Sequence, residues 1–236
     1  SLYGWALSRY SGLWVGLKTM KDTVEVTSVV DGDPHRLSFV APEGALPDGG
    51  LNIRLVDDRI VQEARLINHK KAAAEAFAYA NKIDKRVWGK AGAKIGFVAA
   101  GKNYLDLVHA MSLLNIDADE AERLGITTYK VGQTWPLDMR GFKEWADGLD
   151  LIIVVEEKRK LIEVQIKEAL FDDPNKRVYG WYKDGVELFP TRYALDPIWI
   201  AERVGGILQE EGCSSSGLMG SIADLAEARR GDNQPE

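Results

Sequence analysis

The chain of 236 residues contains a single cysteine, Cys213. One thiol cannot by itself form an internal disulfide, a zinc site or an iron–sulfur site. No apolar run reaches the roughly 18 residues that a membrane-spanning helix needs. No basic segment followed by an apolar core marks a secretory leader. Neither sign of charge dominates: 30 Lys and Arg are mixed among 36 Asp and Glu, for a net charge of −6. Such a balance offers a phosphate backbone nothing to hold, so neither nucleic acid nor a membrane is expected as a partner. A cytoplasmic location is expected, since chains there seldom rely on disulfides. The three histidines, His35, His69 and His109, stand far apart and match no HExxH or other metal spacing. No G-x-S-x-G nucleophile elbow occurs. An initiating Met is also missing. The chain opens Ser1-Leu2-Tyr3-Gly4-Trp5 and runs at once into an apolar segment, Trp5 to Tyr10, as expected of a piece of a longer polypeptide.

With 45% hydrophobic and 28% charged residues, the composition is that of an ordinary globular protein. Residues 1–25 read as a helix stopped at Gly12 and a short strand, Leu13 to Leu17, with Lys18 and Thr19 at its carboxyl end. Residues 26–55 are rich in Gly, Pro and Asp, with one strand-like run, Arg36 to Val40. A long helix follows, capped by Asp57 or Asp58 and running to about Asn81. Ile60, Ala64, Ile67, Ala74, Phe77 and Ala78 lie at helical spacing, and His69 to Lys71 form a solvated basic face.

From Lys94 the pattern changes. Strand Ile95 to Val98, a Gly-Lys turn and a helix carrying Tyr104, Leu107, Val108, Met111 and Leu114 are followed by a short helix, Asp117 to Leu124. Then come strand Ile126 to Val131, a helix opened by Trp135-Pro136, and strand Leu151 to Val155, five apolar residues of which four are β-branched. A helix bearing Leu161, Val164 and Ala169 ends before Pro174. A hairpin of Val178 to Tyr182 with Val186 to Phe189 turns at Lys183-Asp184-Gly185. Asp196-Pro197 opens a last helix, with Ile198, Ala201, Val204 and Leu208 inward. Strands alternating with helices in this way predict right-handed βαβ units on a mostly parallel sheet, an α/β three-layer sandwich. The expected parts are a remnant and connector (1–55), a bridging helix and linker (56–93), the α/β domain (94–211) and a flexible tail (212–236).

Gly96 to Asn103 nearly matches the phosphate-binding pattern G-x-x-x-x-G-K-[ST]. However, the residues between its glycines are Phe97, Val98, Ala99 and Ala100, which belong inside a strand, and Asn103 replaces the hydroxyl that would hold Mg²⁺. A weaker expectation survives. Gly101, Lys102 and Asn103 stand at a strand's carboxyl end and a helix start, where α/β sheets bind anions or partners. The competing reading is a tight turn with a solvated lysine. Glu156 and Glu157 also follow a strand, but neighbours on an extended backbone point to opposite faces. Capping the next helix or pairing with Lys158 or Arg159 is therefore preferred to an acid–base pair. His109 falls outside the apolar stripe of its helix, so a surface position is expected for it.

The segments VAAGKNYLDL, KVGQTWPLD and LIIVVEEKRKLIEVQIKEAL, in this order, resemble the transketolase C-terminal-like domain of the thiamine-diphosphate-dependent 2-oxoacid:ferredoxin oxidoreductases. The opening YGWALSRYSGLWVGLKTMKDTVE resembles the end of that family's pyrimidine-binding domain. The resemblance implies a parent enzyme that decarboxylates an aryl or branched 2-oxoacid on thiamine diphosphate with Mg²⁺. Its electrons pass through [4Fe–4S] clusters to ferredoxin, and the acyl group passes to coenzyme A. For this segment it implies no catalytic residue and no cofactor of its own. It implies contacts with the remaining domains of the parent and homo-oligomer formation. Two contacts are implied: Gly101, Lys102 and Asn103 with coenzyme A or another anion, and Lys18 and Thr19 with the active-site cleft. Two other readings remain: a stand-alone nucleotide- or coenzyme A-binding module, and the equivalent domain of another thiamine enzyme.

Overall fold

The computed structural model describes residues 1–33, 35–44 and 46–232. Contacts divide the chain into two units, one of residues 1–84 with 136–141, the other of residues 85–135 with 142 onward.

In the first unit, helix α1 (Leu2–Ser11) ends at Gly12, whose φ of 67° is left-handed. Glycine is required there twice over, since a Cβ would also stand 2.0 Å from the Leu51 carbonyl oxygen. A short helix, α2 (Lys21–Val24), follows. The expected strands Leu13 to Leu17 and Arg36 to Val40 do not form. Their apolar character is real, but among the described residues no neighbouring strand pairs with them, and an isolated strand leaves its backbone groups unpaired. Asp58 caps the long helix by accepting from the Ile60 and Val61 N–H groups. That helix is α3 (Arg59–Arg65), a π turn (Leu66–Lys70) and α4 (Lys71–Ala80). Only α4 buries its stripe: Ala74 and Phe77 pack with Leu7 of α1, against Tyr10, Leu13 and Phe39. Ile60 and Ile67 are exposed. Lys70, expected on a solvated face, is buried and its Nζ donates to the Gly12 carbonyl at 3.1 Å.

The second unit is the α/β sandwich expected. Its strands are β1 (Lys85–Arg86), β2 (Ile95–Ala100), β3 (Ile126–Val131), β4 (Leu151–Val155) and β5 (Arg177–Tyr179). They form one sheet in the order β1-β3-β2-β4-β5, parallel except for β1, which runs antiparallel to β3. Helices α5 (Gly101–Leu113) and α6 (Ala118–Arg123) connect β2 to β3. Helix α7 (Met139–Ala146) precedes β4, and α8 (Ile162–Ala169) connects β4 to β5. The chain steps across the sheet in one direction from β2 to β3 and in the other from β3 through β4 to β5. Right-handed crossovers then put α5 on one face and α7 and α8 on the other.

Strand alternation sorts the core accordingly. Ile95, Phe97, Ala99, Ile153 and Val155 face α5 and α9 (Pro197–Glu210). On the opposite face Tyr129, Phe142 and Trp145 stack with centroids 4.9 to 6.1 Å apart. Gly96 is the space that Trp145 fills, since a Cβ there would lie 2.5 Å from the indole. The glycine of the near-match to a phosphate loop is therefore a packing residue.

Several expectations need correction. β1 brings Lys85 and Arg86 into the sheet, ahead of the expected start at Lys94. Val178 and Tyr179 join the main sheet through β4, so the hairpin shrinks to β6 (Tyr182–Lys183) and β7 (Val186–Glu187). Asp184 and Gly185, both with positive φ, form its turn. α7 starts at Met139, not at Pro136, and Asp138 accepts from the Gly141 N–H. In α8 the buried residues are Ile162, Glu163 and Ile166, while Leu161 and Val164 are exposed. In α9 Asp196 caps as expected, but Ile198 is exposed and Ile200 takes the inward place. Within the expected tail, whose middle reads as weakly helical, α10 (Ser216–Asp232) forms, and Leu218 is fully buried in the α5–α9 core. Residues 233–236 of that tail lie outside the described residues.

Candidate functional site

In an open parallel sheet, ligands bind outside the strand carboxyl ends where neighbouring strands send their connections in opposite directions. Here that place lies between β2 and β4. The chain leaves β2 toward β3 and leaves β4 toward β5. The register Ala99↔Val155 sets the Gly101–Asn103 turn beside Glu156 to Lys158.

The polar groups at this edge are engaged within the unit. Lys102 Nζ meets Asp106 Oδ2 at 2.7 Å, one helical turn on, and both side chains are largely buried. Burial pushes the Asp106 carboxyl up from its ordinary value. Lys102 opposes that rise, and Glu157 and Asp196 add to it. Asn103 is half-buried, whereas Gly101 is exposed. Ala100 precedes α5 and supplies no capping side chain. The Glu156 carboxylate accepts from the Leu161, Ile162 and Glu163 N–H groups at 2.9 to 3.2 Å and so caps α8. Its burial raises the pKa, and those three N–H groups offset part of the rise. Glu157 Oε2 accepts from the Leu195 N–H at 2.8 Å. The two glutamates therefore serve different partners, as strand geometry implied, and form no acid–base pair. Trp181 ties the hairpin to this edge: its indole N–H donates to the Glu156 carbonyl and its backbone N–H to Glu163 Oε2. Lys167 meets Glu163 at 2.6 Å, which compensates that buried carboxylate.

Lys18 and Thr19 belong to the first unit, Gly101 to Asn103 to the second. Both Lys18 and Thr19 are exposed, and the strand expected to present them is absent. His35, His69 and His109 are exposed as well. Sequence reasoning missed a cavity of about 400 Å³ in the first unit, walled by Leu13, Trp14, Ile53, Leu66, Arg65 and Lys70 among others. Its guanidinium groups hold the loop above it. Arg54 and Arg65 both donate to the Asp48 carbonyl, Arg65 donates also to Gly50, and Asp57 pairs with both at 3.3 and 3.6 Å. The only sequence signal was the Pro47 to Gly50 turn.

The family model of the indolepyruvate oxidoreductase domain matches residues 85–232. The chain belongs to this family. Residues 85–232 are the described part of the second unit apart from 136–141, so the family assignment rests on the sheet and its helices. The chain is 28% identical, over 124 residues, to indolepyruvate oxidoreductase subunit IorA of Pyrococcus horikoshii. That match covers 52% of this chain and 17% of the relative. With subunit IorA of Thermococcus kodakarensis it is 27% identical over 84 residues, covering 36% of this chain and 12% of the relative. The chain thus spans under a fifth of the length of these relatives. Among solved structures it is similar to a 2-oxoglutarate:ferredoxin oxidoreductase from Magnetococcus marinus with 2-oxoglutarate, coenzyme A and succinyl-CoA bound. That match has a TM-score of 0.43 at 14% identity and covers 81% of this chain and 30% of that one. A split-gene transketolase, an inactive β4 tetramer, gives a TM-score of 0.33 at 14% identity, covering 60% and 42%. At such scores neither likeness decides function. The mostly parallel five-stranded sheet with one antiparallel edge is the α/β architecture that the sequence led us to expect.

Among the described residues no group of three or more His, Cys, Asp or Glu is placed to hold a metal ion. Cys213 is a single, half-buried thiol whose pKa burial pushes up. One thiol cannot by itself hold an iron–sulfur cluster. Among the described residues, too, no helix is long and apolar enough to cross a membrane.

Proposed function

We propose that this chain is a scaffold segment of an indolepyruvate:ferredoxin oxidoreductase, bracing the thiamine-binding domains and carrying subunit contacts without catalysing a step itself. The parent, on this reading, oxidatively decarboxylates an aryl or branched 2-oxoacid with ferredoxin as acceptor and coenzyme A as acyl acceptor. One observation carries the proposal. At the edge where an α/β sheet would do chemistry, Glu156 caps a helix, Glu157 holds Leu195 and Lys102 is paired with Asp106. Groups so engaged stiffen the fold and are not set to trade protons with a substrate.

The isolated chain, given indolepyruvate, thiamine diphosphate, Mg²⁺, coenzyme A and a viologen acceptor, is expected to reduce none of the dye. Turnover comparable to the full-length enzyme would refute the scaffold reading. A finer proposal keeps Gly101 to Asn103 as a contact for an anion such as coenzyme A, supported by their place at the start of the 13-residue α5. In the full-length enzyme, Lys102→Ala then raises the Michaelis constant for coenzyme A several-fold, and an unchanged constant removes that contact. Lys18 and Thr19 are likewise proposed as cleft-facing, and unaltered turnover and substrate affinity in Lys18→Ala would remove them.

A further inference from the structure

Among the described residues five non-glycines have positive φ: Lys82, Asn115, Lys158, Asp184 and Tyr193. Asn and Asp tolerate this conformation; long and bulky side chains do so at a cost. Two of the costly ones are joined. Lys158, with φ of 65°, donates through Nζ to the carbonyl of Tyr193, with φ of 63°. Lys158 sits in the turn between β4 and α8, and Tyr193 sits in the loop that leads into α9. That loop, residues 190–194, runs between two fully buried anchors, Phe189 and Leu195. Between them Arg192, Tyr193 and Ala194 are exposed, Tyr193 at 82%. Just beyond Tyr193, the Leu195 N–H donates to Glu157 Oε2 at 2.8 Å. Consecutive residues of the β4–α8 turn, Glu157 and Lys158, thus hold the middle and the exit of one exposed loop.

Backbone strain of this kind persists only where surrounding contacts over-determine it, and it gathers at clamps and switches. A loop that merely spanned two anchors would take glycine or asparagine at the left-handed position. We propose that residues 190–194 form a latch over the carboxyl edge of β4, hinged at Phe189 and Leu195 and held shut by Lys158. When it opens, Tyr193 relaxes to negative φ. The Lys158 ammonium and the Glu157 carboxylate are then released at the mouth of the crevice between β2 and β4. Glu157, which holds the exit of the latch, and Asp196, just beyond it, both act electrostatically on Asp106. The latch gives the segment a moving part that bracing alone does not require.

The test is site-resolved amide hydrogen exchange on the full-length protein that carries this chain. In Lys158→Met the stem keeps its length and loses its charge, so the Leu195 amide is expected to exchange about tenfold faster, the lower end of what a hydrogen bond to a charged group contributes, as suits an exposed bond. In Tyr193→Asn the left-handed strain is relieved with the Lys158 contact kept, and the same amide slows several-fold. The β2 amides stay at wild-type rates in both variants. Two results overturn the latch. One is wild-type exchange at Leu195 in both variants. The other is acceleration by Lys158→Met that spreads to β2, which would make the pair a general contact of the fold.

Discussion

Gly96 shows how one residue can carry a misleading signal. Its spacing to Gly101 and Lys102 suggested a phosphate loop, yet its missing side chain is occupied by Trp145 and Leu149. Gly96→Ala places a methyl 2.5 Å from the indole and 2.6 Å from Leu149 Cδ1. Overpacking of this kind costs about 1–3 kcal/mol. Urea unfolding of the second unit is expected to show that loss with the denaturant slope unchanged. No loss at all would mean that Trp145 repacks freely. The indole is also tethered, its N–H bonded to Thr127 Oγ1 at 3.2 Å. Glu156 was legible in the opposite sense. Its place after β4 and before a helix allowed capping, and three N–H groups confirm it.

Elements were legible where burial on one face left a period in the sequence. Strands β2 to β4, helices α5 and α9, and the Asp58 and Asp196 helix starts follow from apolar runs, alternation, apolar stripes and capping chemistry. Elements defined by partners were not. Among the described residues the strand-like runs after Gly12 and around Leu37 have no strand neighbour, while Val178 found one in β4, and local pattern cannot encode either outcome. The stripe Ile60, Ala64, Ile67, Ala74, Phe77 and Ala78 is continuous on an ideal helix. The π turn at Leu66–Lys70 rotates its first half by roughly 100° relative to the second, so only α4 is buried. The short edge strand β5 is joined to the end of α9 by Arg177 and Glu211, paired through two 2.7 Å bonds. The Arg177 partner holds the Glu211 carboxyl below its ordinary value of 4.5. A depressed carboxyl contributes stability above its unfolded pKa and loses it as pH falls through the folded one. Wild type is therefore expected to exceed Glu211→Gln by about 0.5 kcal/mol at pH 7, a solvent-screened value. The two melting curves should converge as pH drops below 4.5, and a difference that persists at acid pH would assign the effect to packing.

At the scale of the whole molecule, family and second-unit fold were legible because order and spacing of several weak motifs add up. The candidate site was legible in place only. The strand ends marked the edge, but the pairing of Lys102 with Asp106 and of Glu157 with Leu195 depends on tertiary placement. The first unit exposes several large apolar side chains. Trp14, Val29, Leu55 and Val56 are each more than four-fifths exposed, an apolar load of the kind that marks contact surfaces. Trp14→Ser is expected to lower retention of the isolated chain on a hydrophobic column and to move its melting temperature by under about 2 °C. A larger fall would mean that the indole is packed in solution.

The bond from Lys70 to the Gly12 carbonyl spans 58 positions and ties the end of α1 to the start of α4. The ammonium is one of the ties that draw the chain between them into a closed loop. The entropy of closing a flexible loop grows only with the logarithm of its length, about 0.6 kcal/mol per doubling. Within the closed loop residues 25–33 are all exposed, so added length there is expected to cost the fold least, so long as the knot at Gly12 and Lys70 is kept.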